Sequence, residues 1–274
     1  MSTPHDRAAL PYRRLRADHA QPASVLELTK AYSQRMPATH VFSHATAAVI
    51  QGMWLPYRLE TDRRLHVSVP QNARAPQMVG TVGHKREVLV IGQVEGLRVT
   101  SLLHTWIDVA PTLRRVELVA AADFLCRGRN PIHTPEELKV VAAELTGRRG
   151  CRALREAASL ARAAVDSPQE TKTRLFIVDD GIPEPEVNFV IRDSDGYFVA
   201  RVDLAWPRFR VCVEYEGDGH RTDPKQFRKD ITRRERAEDQ GWRMVRITDD
   251  DLMYGGQELL RRVRAALAAR GARW

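Results

Sequence analysis

An α+β chain is the fold class that the sequence predicts: helices and short strands first, then a sheet with helices around it. Three observations carry this. Helix starts recur at Ser24 with Glu27 three residues on, at Thr134-Pro135-Glu136-Glu137, and at Ser167-Pro168-Gln169-Glu170. Each sets a hydroxyl cap ahead of an acid in the first turn, two of them with proline at the first helical position. Between them lie short strand-like pieces, Leu65–Val69, Met78–Val82, Val88–Ile91 and Leu97–Val99, punctuated by Gly, Pro and Asn. Further on, two apolar runs, Phe198–Leu204 and Phe209–Tyr215, flank a short turn at Trp206-Pro207 and read as an antiparallel hairpin.

A length of 274 residues admits one large or two modest domains, and 43% hydrophobic content is enough for proper cores. Charged residues make up 28% and the net charge is +8. A basic, arginine-rich composition points to a polyanion, because the guanidinium fork can hold two phosphate oxygens; nucleic acid is the expected partner. The bland alternative is that arginine is abundant for compositional reasons. Cys126, Cys151 and Cys212 are far apart and lack CxxC spacing, which fits a reducing cytoplasm and a chain without a structural zinc. Met1 to Ala20 carries charges throughout, so it does not read as a secretory signal. No apolar run approaches the roughly 18 residues that a membrane helix needs, and no membrane partner is expected.

In chain order, residues 1–22 hold Arg7, Arg13, Arg14 and Arg16 among prolines and read as a flexible basic arm. The capping box at Ser24 starts a helix over about 24–36, ended by Pro37. Ser43 opens a second helical run, stopped by Gly52 and Pro56. Two helices with a tight connection, then short strands, suggest a winged-helix-like module over 23–99. His44, His66 and His84 each read as a cap or packing residue when taken alone. Residues 100–165 read as a helical connector: Leu102–Val109 capped by Thr100 with Trp106 as core, then Arg114–Arg127, then helices after Thr134 and Arg152. The cluster Arg148, Arg149, Arg152 and Arg155 reads equally as a phosphate contact or a solvated face.

The last domain, 166–274, begins at the Ser167 cap, with an apolar stripe expected over Thr171–Val178. Val187–Ile191 is a strand, and Asp193-Ser194-Asp195-Gly196 a hairpin turn rather than a metal site. A basic amphipathic helix spans Phe227 to Gln240, Trp242–Ile247 is a buried strand, Asp249-Asp250-Asp251 are capping acids, and Leu259–Ala269 is the closing helix. In the second arm of the hairpin Val211, Val213 and Tyr215 face one way, while Cys212, Glu214 and Glu216 face the other. Registers that a short turn allows bring Asp203 opposite Glu214. Three carboxylates then converge on one sheet face, where like charges repel and burial is costly. A hard divalent cation such as Mg²⁺ removes the conflict, since it takes oxygen ligands. The alternative is an acidic, solvated edge.

Asp203 followed by Glu214-Tyr215-Glu216 resembles the Asp…(Asp/Glu)-x-Lys signature of the PD-(D/E)XK nuclease superfamily. The match extends over Val202-Asp203-Leu204-Ala205-Trp206-Pro207, Val213-Glu214-Tyr215-Glu216-Gly217-Asp218-Gly219-His220, Asp230-Ile231-Thr232-Arg233-Arg234 and Gly241-Trp242-Arg243-Met244-Val245-Arg246. These segments resemble actinobacterial two-domain proteins whose C-terminal domain is related to very-short-patch repair endonucleases. Phe42-Ser43-His44-Ala45-Thr46-Ala47-Ala48 and Gly96-Leu97-Arg98-Val99-Thr100-Ser101, with Thr105-Trp106-Ile107-Asp108, resemble their N-terminal part, akin to antitoxins of abortive-infection systems.

The resemblance implies a restriction-endonuclease-like core with a central mixed sheet flanked by helices. It implies a DNA endonuclease of repair or phage defence, dependent on Mg²⁺ with Mn²⁺ as a substitute. Asp203 and Glu214 would hold the cation with Glu216 assisting, Glu170 would orient the attacking water, and His220 would move a proton. Arg221, Lys225, Arg228, Lys229, Arg233 and Arg234 would hold the DNA backbone. Glu216 stands where many relatives carry lysine, although relatives of this branch carry an acid there. That departure supports an alternative, a DNA-binding regulator or antitoxin-like protein with an inactive nuclease fold. One set of acids cuts one strand, so duplex cleavage would take a homodimer or two events. A DNA substrate implies a cytoplasmic, nucleoid-associated protein.

Overall fold

The computed structural model describes residues 24–87, 90–216, 234–253 and 256–273. It divides into two compact units, one of Met1–Ala121 with Lys139–Ser159 and a second of Ala122–Leu138 with Leu160–Trp274. The mixture of helices with two mixed sheets is the expected α+β class. Residues 100–165 are shared between the two units rather than forming a body of their own. The expected arm over 1–22 lies outside the described residues.

In unit 1, helix α1 (Val25–Ser33) starts at the predicted box: Glu27 N–H donates to Ser24 Oγ at 3.2 Å, and Ser24 N–H to Glu27 Oε2 at 2.7 Å. Strand β1 (Val41–Phe42) follows, then α2 (His44–Ile50), α3 (Tyr57–Glu60), β2 (Leu65–Pro70), β3 (Thr81–Arg86), β4 (Ile91–Val94) and β5 (Leu97–Thr100). The sheet order is β3-β2-β1-β5-β4, with β2/β3 and β1/β5 parallel and the other pairs antiparallel. The connection between α1 and α2 is therefore not a simple tight turn. It carries β1, which takes the middle of the sheet. Two residues are too few for alternation to announce a strand, but both side chains are fully buried. The core of this unit joins Leu28, Tyr32, Phe42, Leu65, Val67, Leu97 and Val99.

The predicted strand at Met78–Val82 is displaced to β3, because pairing with β2 begins at Leu65↔Thr81 and leaves Met78 and Val79 exposed. Helix α4 (Leu102–Val109) is capped by Ser101, not Thr100: the Ser101 hydroxyl accepts His104 N–H, while Thr100 stays in β5. Trp106 is wholly buried, its indole N–H donating to Leu118 O. Helices α5 (Arg115–Leu125), α6 (Pro135–Glu144) and α7 (Cys151–Leu160) complete the middle of the chain.

In unit 2, α8 (Pro168–Asp179) precedes β6 (Glu186–Arg192), β7 (Phe198–Trp206), a 3₁₀ turn at Pro207–Phe209 and β8 (Val211–Tyr215). Helical residues 234–239 (α9), β9 (Arg243–Ile247), α10 (Asp249–Met253) and α11 (Gln257–Ala269) follow. The sheet order is β6-β7-β8-β9, antiparallel except for the parallel pair β8/β9. Phe209 belongs to the turn rather than the second arm, since Arg210 takes φ 48° and the ladder starts at Trp206↔Val211. The Asp193–Gly196 segment is the predicted turn: Asp193 Oδ1 accepts both Asp195 N–H and Tyr197 N–H. Leu204, Trp206, Val211 and Val213 pack with α11, whereas Ala205 and Cys212 pack with Ala237 and Trp242, so the sheet is covered on both faces.

The stripe expected on α8 is more polar than its sequence suggested. Thr171, Thr173 and Arg174 are buried beside Leu175 and Ile177. Arg174 donates to Asp123 Oδ2 at 3.1 Å, to Leu160 O at 2.9 Å and to Glu184 Oε1 at 3.2 Å. Asp123 also accepts Arg162 N–H at 2.7 Å and Thr171 Oγ1 at 2.8 Å. Burial pushes the Asp123 carboxyl up, and Arg174 with these donors pulls it back. Removing one partner strands the other charge out of water. Asp123→Ala or Arg174→Met is therefore expected to lower unfolding stability by about 3–5 kcal/mol, with the double variant recovering part of it. Urea denaturation of the three variants measures this.

Candidate active site

The acids gather at the start of α8 and the inner end of the hairpin. Glu170 is the third residue after the Ser167 cap, and the cap fixes its side chain. Its N–H donates to Ser167 Oγ at 3.2 Å, and that hydroxyl donates to Glu170 Oε1 at 2.8 Å. Oε2 accepts Asp166 N–H at 3.1 Å and Asn188 Nδ2 at 2.8 Å. Glu170 is thus both a helix cap and a buried acid, 6% exposed. Burial first, and then the negative charge of Asp203, push its pKa up to about 7, against the pull of these hydrogen bonds.

Asp203 lies on β7 opposite Asn188, in the register set by Val187↔Leu204 and Phe189↔Val202. Asn188 takes φ 49°, a left-handed value that asparagine tolerates better than most residues. Val202 and Leu204, on either side of Asp203, pack into different clusters. The ladder of β7 with β8 runs through Leu204↔Val213, and one step further along that register brings Asp203 to Glu214. Asp203 Oδ2 accepts Tyr215 N–H at 2.8 Å. Glu214 is 5% exposed and aligns with Arg246 across the parallel pair. Glu170, Asp203 and Glu214 are therefore brought to one neighbourhood by α8, β7 and β8.

Glu216 is held differently. Just past β8, its N–H donates to Ile247 O at 2.7 Å. Its carboxylate forms a close ion pair with Arg234 and lies 3.6 Å from Arg246 Nη1. As arranged, it serves two arginines. Arg234, expected at DNA, is occupied by this contact, while Arg246 is more than half exposed. His220, Arg221, Lys225, Arg228, Lys229 and Arg233, together with Asp230, lie outside the described residues.

All the gathered donors are carboxylate oxygens, the chemistry of a hard divalent cation. Among the described residues they do not form a set whose ligand atoms all lie within 4.8 Å of one another. That closeness belongs to His44, His66 and His84 of unit 1. Burial, reinforced by the neighbouring imidazoles and arginines, lowers His44 to about 2 and His84 to about 4. Reading each histidine alone missed this grouping. The available signal was slight: His66 fell on a predicted strand and His84 just beyond one, and their common face depends on the parallel pairing of β2 with β3. Of the clustered arginines, Arg148 reaches the buried Asp108 at 3.5 Å and Arg155 donates to Leu145 O at 2.8 Å.

Glu170 makes unit 2 sensitive to pH. Its folded pKa of about 7 exceeds the ordinary 4.5, so the folded chain holds this proton more tightly than the unfolded chain. Its contribution to stability is then full below the ordinary value and is lost as pH rises through the folded value, by up to about 3 kcal/mol. Glu170→Gln is expected to flatten that loss, read from urea midpoints across the same range.

No family model and no solved structure matches the chain. It is 32% identical over 246 residues, covering 87% of this chain and 85% of the relative, to the uncharacterized protein MT2308 of Mycobacterium tuberculosis strain CDC 1551 / Oshkosh. The same figures hold for the uncharacterized protein Rv2248 of strain ATCC 25618 / H37Rv. With that identity sustained over most of both lengths, the chain belongs to the same family as these two mycobacterial proteins.

Proposed function

We propose that unit 2 is a divalent-cation-dependent DNA endonuclease. The observation that carries this is the gathering of buried Glu170 and Glu214 with half-buried Asp203, whose negative charge helps to raise the Glu170 pKa. Crowding carboxylates raises their energy, and a bound cation relieves it. A mixed sheet covered on both faces supports the reading that the PD-(D/E)XK resemblance suggests.

Asp203 and Glu214 would hold Mg²⁺, or Mn²⁺ in its place, through oxygen donors that suit either ion. The cation supplies positive charge to the attacked phosphodiester and its leaving oxygen. Glu170 has a different task. With a pKa near neutrality, its carboxylate can orient the attacking water and take a proton from it. That role is vacant at position 216, where a glutamate replaces the lysine of many relatives and is engaged by Arg234 and Arg246. Arg246 is exposed enough to meet a phosphate, and the net charge of +8 favours the approach of a polyanion. Unit 1, with its antitoxin-like resemblance, would dock or select the DNA, and a homodimer would supply two cutting sites. DNA as substrate corresponds to work at the nucleoid, in repair or phage defence.

The arginine-bound Glu216 also favours a second reading, a DNA-binding regulator whose nuclease site is silent. Plasmid cleavage with Mg²⁺, Mn²⁺ or EDTA separates the two. The endonuclease is expected to nick in a cation-dependent manner. Asp203→Ala is expected to abolish nicking while DNA binding persists, and Glu170→Gln to slow it about 100-fold or more. Binding without cleavage under either cation would leave the regulator.

A further inference from the structure

We infer that unit 1 contains a transition-metal site of the zinc class, formed by His44, His66 and His84. The three come from separate elements. His66 on β2 and His84 on β3 share a face of the parallel pair, whose register runs His66↔Val82 and Ser68↔His84. His66 Nδ1 and His84 Nε2 lie 3.0 Å apart. His44 starts α2 and stacks on His84, with ring centroids 3.6 Å apart and planes 15° from parallel. Each ring offers a nitrogen within 4.8 Å of the others. Imidazole nitrogen is a borderline donor that suits Zn²⁺ and its neighbours rather than Mg²⁺.

Packing alone explains part of this, since stacked rings can share a hydrogen bond. It does not explain two further features. His44 adopts φ 51° at the start of a helix, a conformation that costs a residue bearing a Cβ and that tends to mark functional sites. Behind it, Asp108 Oδ2 is buried without a hydrogen-bond donor, 3.6 Å from His44 Nδ1, in a side chain only 3% exposed. A metal on one imidazole nitrogen leaves the proton on the other, creating a donor for such an oxygen; a carboxylate behind a ligating histidine is the usual supporting arrangement. The other oxygen of Asp108 is taken by Arg86, in a close ion pair, and by Arg148 at 3.5 Å. Asp108 thereby offsets one of these two positive charges, and Arg86 Nη2 also lies 3.5 Å from His44 Nε2.

Three protein ligands leave a coordination position unfilled. His44 and His84 line an open cleft with Lys85, Arg86, Arg148 and Arg149. The exchangeable ligand there is water or an anionic oxygen.

The test is metal content and metal binding of the full chain, purified without a histidine tag. One equivalent of Zn²⁺ per chain is expected, retained in Asp203→Ala and lost in His66→Gln/His84→Gln. Metal-free wild type is expected to bind Co²⁺ with visible ligand-field bands, and Zn²⁺ with a rise in melting temperature that Mg²⁺ does not produce. These two wild-type readouts do not depend on any variant folding. The site is overturned if wild type takes up Zn²⁺ and Co²⁺ no better than Mg²⁺, or if the folded double glutamine variant binds Zn²⁺ as wild type does. Neither result bears on the carboxylates of unit 2.

Discussion

Carboxylates crowded together out of water set the terms for unit 2. Each charge brought from water into the protein loses hydration, and each like neighbour adds to the cost. Hydrogen bonds among the described residues meet part of this cost. Glu170 receives two backbone or amide donors and a hydroxyl, and Asp203 receives the N–H of Tyr215. These bonds fix where the oxygens point, yet Glu170 still holds its proton to near neutrality. A residue tuned by its surroundings to that range can exchange a proton at little cost. The same crowding that burdens the fold therefore gives the site its chemical character.

The buried pair of Asp123 and Arg174 shows how this chain handles a buried acid with no such task. Asp123 is surrounded by a guanidinium, a hydroxyl and a backbone N–H, with its counter-charge built in. Glu216 is likewise met by Arg234 and Arg246. Glu170 instead shares its neighbourhood with Asp203, whose charge helps to raise the Glu170 pKa. Unit 1 gathers imidazole nitrogens where unit 2 gathers carboxylate oxygens, two donor types that suit different cations in general.

Local signals in the sequence were sound wherever the cause was local. The cap at Ser167 and the box at Ser24 follow from hydroxyls that satisfy free N–H groups within three residues. The Asp193–Gly196 turn follows from an aspartate that accepts nearby backbone donors. They were less reliable where neighbours compete: Ser101 takes the cap from Thr100 because Thr100 is still paired in β5. Strand β1 gave no signal, since two buried residues have no period and their burial comes from the strands on either side.

By itself the sequence determined the α+β class, the helix starts, the basic charge and the residue types of the acid site, because these depend on spacing along the chain. Tertiary structure alone decided which of those residues meet. The β7–β8 register brought Asp203 to Glu214, strand exit turned Glu216 toward arginines, and parallel pairing of β2 with β3 brought separated histidines together. Register is set by packing across strands distant in sequence, and one residue of slip would send every side chain to the opposite face.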